Sequence, residues 1–232
     1  MKTFNAIIAS CFLGLMFAVA ASAQIGGGMM RQGPMPRGLF NPVVGSGAQY
    51  EIQKGAGSDA NEKKTVMEID VVGKDSVNGK DGYWLETTAD SPMGAMTMKM
   101  LAAPDGANIT IAKMIMQMSG QQPMEMPTQM GRIGEQNLGT DIRDKAEKVG
   151  SESVTVPAGT FTADHYRMKD GSGDFWLSEK VSPYGLVKGQ GKDFNMVLTK
   201  VITDAKDKIT GTPVPFNPRL MMPGGTGGRP QQ

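Results

Sequence analysis

Methionine is the residue whose number and spacing first raise a question of chemistry. The chain of 232 residues holds 20 of them. Met96, Met98 and Met100 alternate with Thr97 and Lys99; Met114, Met116 and Met118 alternate with Ile115 and Gln117; Met124 and Met126 flank Glu125. In a β-strand every second side chain falls on the same face, so each set makes a stripe of thioethers. Core packing is the plainest account, because methionine is unbranched and fills irregular gaps. A second is the adaptable wall of a site for a hydrophobic or lipid-like molecule. A third is a Cu(I) site, since soft thioethers select that ion. The scarcity of histidine and cysteine ranks copper last.

Other reactive types assemble less well. His165 is the only histidine, and its ordinary pKa suits a general base. Asp164, its neighbour on an expected strand, points to the opposite face, and no G-x-S-x-G elbow is present. The carboxylates Glu125, Asp141 and Asp144 form no paired motif, and Asp170–Asp174 lacks the length and closing Glu of a calcium loop. The expectation is therefore a non-enzymatic protein with no catalytic residue, no metal ligand set and no cofactor. Trp84 and Trp176 each follow an aromatic, in Tyr83-Trp84 and Phe175-Trp176. Alternation sends the two members of each pair to opposite faces, one to the core and one to the outer face or a cavity mouth. The candidate ligand-binding residues are Met96, Met98, Met100, Met114, Met116, Met118, Trp84 and Trp176.

The elements that must position them follow from the rest of the chain. Residues 1–23 have the three parts of a signal peptide: Lys2, an apolar run from Ile7 to Val19, and Ala21-Ser22-Ala23. The run is too short to span a bilayer, which takes about 20 apolar residues. Cleavage before Gln24 places the mature protein in the periplasm or outside the cell. It also removes Cys11, the sole cysteine, and Lys2, which takes the net charge from +1 to zero. A neutral chain offers nothing to nucleic acid or an anionic surface. After cleavage no integral membrane segment is expected.

Residues 24–47 and 211–232 are rich in Gly and Pro and read as a flexible leader and a disordered tail. Between them, residues 48–210 carry the punctuation of antiparallel sheet. Thr65–Val72 alternates; Asn78-Gly79 and Asp81-Gly82 are turn dipeptides; Tyr83–Thr88, Asn108–Met118, Ser153–Val156, Thr160–Met168, Asp174–Ser178, Leu186–Lys188 and Phe194–Ile202 read as strands. Val156-Pro157-Ala158-Gly159 suits a type I turn. Gln121–Gly139 reads as a loop. One helix is expected over Thr140–Val149, stopped by Gly150. The fold class is mainly β, a curved antiparallel sheet or half-barrel with little helix.

Val154-Thr155-Val156-Pro157-Ala158-Gly159-Thr160-Phe161, Trp176-Leu177-Ser178, Gly185-Leu186-Val187-Lys188 and Gln121-Gln122-Pro123-Met124-Glu125-Met126-Pro127 resemble a pattern in exported bacterial proteins of unknown function. Those proteins are similar to the lipoprotein-localisation-factor (LolA-like) half-barrels, and the resemblance covers about residues 48–205. It implies a curved sheet around a helical plug, with a concave face that holds lipid acyl chains. The functional expectation is an exported protein that binds a hydrophobic or lipid-like ligand on that face. The alternatives are a methionine-rich Cu(I)-binding envelope protein and an envelope interaction domain with no small ligand. N-terminal sequencing of the exported protein should begin at Gln24; a lipid-bearing start at Cys11 would refute this reading.

Overall fold

A computed structural model describes residues 39–54, 64–91, 94–105, 108–128, 142–192 and 194–217. The signal peptide and most of the leader and tail lie outside these residues. The strands are β1 Gly47–Lys54, β2 Thr65–Val77, β3 Lys80–Ser91, β4 Gly94–Asp105, β5 Asn108–Met118, β6 Met124–Met126, β7 Ala146–Val156, β8 Gly159–Met168, β9 Gly173–Leu177, β10 Leu186–Gly191, β11 Phe194–Ile202 and β12 Val214–Pro215; α1 is Ile142–Lys145. They form one sheet in the order β12-β6-β5-β4-β3-β2-β1-β11-β10-β9-β8-β7. Every pairing is antiparallel except the parallel match of β12 with β6. The sheet is open and curved, and the described residues contain very little helix. Among the described residues no helix is long and apolar enough to cross a membrane.

Local chemistry explains the hairpins. Asn78 and Gly79 both take positive φ, at 52° and 76°, between β2 and β3. That is the backbone of a two-residue type I′ turn, whose twist matches the strands it joins. Gly82, read above as part of a second turn, sits inside β3 instead. A Cβ there would lie 2.8 Å from Val77 and 3.1 Å from Leu101, so the glycine serves a close approach.

Alternation then divides the sheet into two faces. Tyr50, Met67, Ile69, Val71, Leu85, Met100, Met114, Met196 and Leu198 fall on the inner face and join one buried cluster. Tyr50 is fully buried, which pushes its phenol pKa upward, so the hydroxyl stays protonated and donates to the Leu186 carbonyl at 3.1 Å. At the β7 end the sheet curls over: the Ala158 N–H, in the β7–β8 turn, reaches the Leu198 carbonyl of β11 at 3.3 Å.

Three boundaries differ from the sequence reading. The helix expected over 140–149 is a single turn, Ile142–Lys145, and from Ala146 the chain is strand. Pairing of Ala146–Val156 with β8 supplies a ladder that outweighs helix propensity, and the register shift between Lys148 and Gly150 absorbs the odd residue. The leader joins the fold earlier than 48: Leu39 and Phe40 pack against the core, and the Asn41 N–H donates to Pro183 O at 2.8 Å. The tail joins it later than 210: Val214–Pro215 pairs with Met124–Glu125, which also turns part of the expected loop after Gln121 into β6.

Replacing Tyr50 by Phe leaves the buried Leu186 carbonyl without its donor. The expected cost is about 1–3 kcal/mol in urea unfolding. A loss below experimental error would show that this hydrogen bond does not stabilise the curl.

Candidate functional site

The methionine stripes lie side by side. Met96 faces Met118, Met98 faces Met116, and Met100 faces Met114 across β4 and β5; Met116 faces Met124 and Met114 faces Met126 across β5 and β6. Opposed side chains on neighbouring strands have Cβ atoms about 4.5–5.5 Å apart, so these eight thioethers form one continuous patch. Met100 and Met114 belong to the buried core, with Met98 and Met126 packed half-buried against it. Met116 and Met124 are buried outside that cluster, and Met96 and Met118 are half-buried at its end. The patch therefore grades from core packing at Met100–Met114 to an accessible margin at Met96–Met118. Met124 and Met126 join it although the site residues chosen from sequence omit them; their alternate spacing was the available signal.

Neither tryptophan stands in this ladder. Trp84 takes the outer face beside Lys99, with Tyr83 packed against the core, whereas Trp176 is buried and belongs to the core cluster together with its neighbour Phe175. Trp84 lies under the Lys99 ammonium, 5.1 Å from its ring centre. Trp176 is held in a cross-strand row on β10, β9 and β8. The Lys188 ammonium stands 4.5 Å from its ring centre, and the His165 imidazole stacks on it at 4.5 Å.

His165 is fixed rather than poised. Its Nε2 meets Asp174 at 2.7 Å, and its Nδ1 faces Glu152 at 3.6 Å; Glu152 also accepts the Trp176 indole N–H. Burial works to raise the Asp174 pKa, but hydrogen bonds from His165 and Arg167 outweigh it and hold the carboxyl below its usual range. With a carboxylate at each ring nitrogen, the imidazole has no face left for a nucleophile. Asp164 is turned away to Lys148 and Ser151.

The outer face carries a second constellation that composition did not single out. Residues 203–213 leave β11 and cross β1, β2, β3, β4 and β5 before Val214 pairs with β6. Six strand spacings are roughly 29 Å, and about eleven extended residues reach roughly 36 Å, so the segment is long enough for the crossing. Its Lys208 Nζ bonds both Glu68 and, at 2.5 Å, Asp70; its Lys208 N–H donates to Glu86 at 2.9 Å; its Asp207 pairs with Lys99. The Thr210 N–H donates to Gln117 at 3.2 Å. Asp70 and Glu86 are almost wholly buried beneath this strap. Among the described residues no group of three or more His, Cys, Asp or Glu is arranged to hold a metal ion.

No family model matches the chain, and no curated protein matches it. Solved structures similar to the chain include a candidate lipoprotein from Parabacteroides distasonis ATCC 8503 and a candidate exported protein with a YmcC-like fold from Bacteroides fragilis NCTC 9343. Each is 14% identical, aligns over 71% of this chain and 99% of its own, and has a TM-score of 0.35.

The gradient in burial sets different stakes for chemically identical substitutions. Met114→Ala should cost about 2–5 kcal/mol in urea unfolding, because it opens a cavity in packed surroundings, and Met96→Ala should cost less than half as much. Equal losses would contradict an accessible margin.

Proposed function

We propose that this protein is an exported, non-enzymatic binding protein that takes an apolar, lipid-like chain on the methionine patch of β4–β6. The observation that carries the reading is the in-register ladder of eight methionines running from the buried core to a half-buried margin. Thioether side chains adapt to an acyl chain without a fixed shape. The opposite face is already occupied by the strap and its charges, which leaves the inner face for a hydrophobic ligand. The resemblance to LolA-like half-barrels, whose concave face holds acyl chains, supports the same face, and the signal sequence supports export.

A second reading is Cu(I) binding, favoured by one feature: Met98, Met116 and Met124 stand in a single cross-strand row, so three soft ligands from three strands can approach one ion. One variant separates the two. In Met98→Leu/Met116→Leu/Met124→Leu, volume and hydrophobicity are kept and the three sulfurs of the row are lost. Lipid binding predicts that a fluorescent long-chain fatty acid binds the variant within about threefold of the unmutated protein, since burial of apolar area is unchanged. It also predicts that Met98→Glu weakens that probe at least about tenfold, because a carboxylate is costly to bury. Copper binding predicts that the triple variant loses Cu(I). If the unmutated protein takes up neither probe, both readings fall and the methionines are packing.

A further inference from the structure

The strap holds two buried carboxyl groups against an excess of negative charge. Glu86 on β3 is faced by Asp70 on β2, by Lys99 on β4, and by Asp207 and Lys208 of the strap; Glu68 on β2 completes the cluster through Lys208. Four carboxyl groups therefore share two ammonium groups. Glu86 Oε2 accepts the Lys208 N–H at 2.9 Å, but Oε1 meets no donor, and Lys99 Nζ stays 4.0 Å away because it is committed to Asp207. Lys99 thus stands between the two carboxyl groups, bonded to Asp207 and 4.0 Å from Glu86, and holds the Asp207 charge beside the buried Glu86. A buried carboxyl with one oxygen lacking a donor and a second carboxyl nearby is favoured in its protonated form. Without its proton, Glu86 is an anion with no water around it, beside the further charge of Asp207.

We propose that residues 203–213 form a proton-operated clasp: with Glu86 protonated the strap lies closed over the outer face, and loss of that proton releases it, drawing β12 away from the β6 edge. The release is local because the strap is attached to the sheet mainly through this cluster, through Gln117, and through two residues of β12. Its first contact, the Ala205 N–H on Gly45 O at 2.9 Å, lies at the β11 end and leaves the remainder free to swing. The clasp stands apart from whether the methionine patch holds a ligand.

The direction of the pH effect follows from the balance of forces on Glu86. Burial, and then the neighbouring Asp207, push its pKa up to about 7, against the opposing pull of the Lys208 N–H and Lys99. Burial likewise raises Asp70, with Lys208 acting against it. A carboxyl whose pKa is raised in the closed state holds a proton there that the open state gives up. Its contribution to closure is fully present below the ordinary Glu range and is lost as pH rises through about 7. The clasp is thus closed in mild acid and opens toward alkaline pH.

Hydrogen exchange of the whole exported protein, corrected for the intrinsic pH dependence of amide exchange, reads this directly. Between about pH 6 and about pH 8, protection of the amides of residues 205–216 should fall about tenfold, while β9–β11 amides keep theirs. In Glu86→Gln, which cannot ionise, strap protection should be the same at both values. Unchanged strap protection in the unmutated protein, or a pH-dependent fall that persists in Glu86→Gln, would overturn the proposal. If Glu86→Gln does not fold, Asp207→Asn serves instead. Removing that anion and freeing Lys99 should move the opening midpoint to lower pH, and an unmoved midpoint would equally overturn it.

Discussion

The Lys208 ammonium bridges Glu68 and Asp70, and its own N–H holds Glu86. This one residue ties a segment with no regular structure to the middle of a broad sheet. A sheet this wide has two faces to satisfy, and only one of them is apolar. The other places Asp70 and Glu86 beneath a covering segment, where each ion is tolerable only if it is paired or protonated. Burial and the surrounding bonds act in opposite senses on this cluster. Burial works to raise Glu68 and Asp207, but both end below their ordinary range, with the bonds from Lys208 to Glu68 and from Lys99 to Asp207 acting against it, whereas Asp70 and Glu86 end above it. Even Gly47 reflects the same crowding: a Cβ there would collide with Asp70 Oδ1.

The inner face is organised around shape rather than charge. Tyr50, Leu85 and Leu198 fill its middle, and the methionines extend it toward the β6 edge. Methionine suits a surface that must be part core and part contact, since its side chain repacks at little cost when its neighbours change. The two faces meet at β6. Met124 and Met126 contribute to the patch, while the backbone of the same strand receives Val214 and Pro215 from the strap. Whatever loosens one edge of that three-residue strand acts on the support of the other.

Much of this was legible in the residues themselves. Asn78-Gly79 announced its turn, because only small or αL-tolerant residues accept two positive φ values in succession. The period-2 spacing of Met96–Met100 and Met114–Met118 announced common faces. Register was not legible: nothing in the order of residues says that Met98 opposes Met116, or that the partner of His165 is Asp174 on the next strand rather than its neighbour Asp164. Charge patterning over 140–149 mimics a helical face, whereas pairing with β8 makes Ala146–Val156 a strand. The strap is not legible for a different reason. Asp207 and Lys208 have no periodicity and no apolar anchor, and their importance comes entirely from Asp70 and Glu86, which are more than a hundred residues earlier. The two tryptophans show the limit of residue type as a guide: Trp84 lies on the outer face under Lys99, whereas Trp176 joins the core cluster and stacks on His165.

The central claim is that the inner face, not the outer one, is the functional surface, and that it accommodates an apolar chain. Native mass spectrometry of the protein purified gently from its own cells tests this most directly. The account predicts a population carrying one additional mass that matches a single acyl-chain lipid, released by organic solvent and absent from Met98→Glu. A protein that is uniformly unliganded, or whose extra mass is a copper ion retained until thiol chelation, would contradict it.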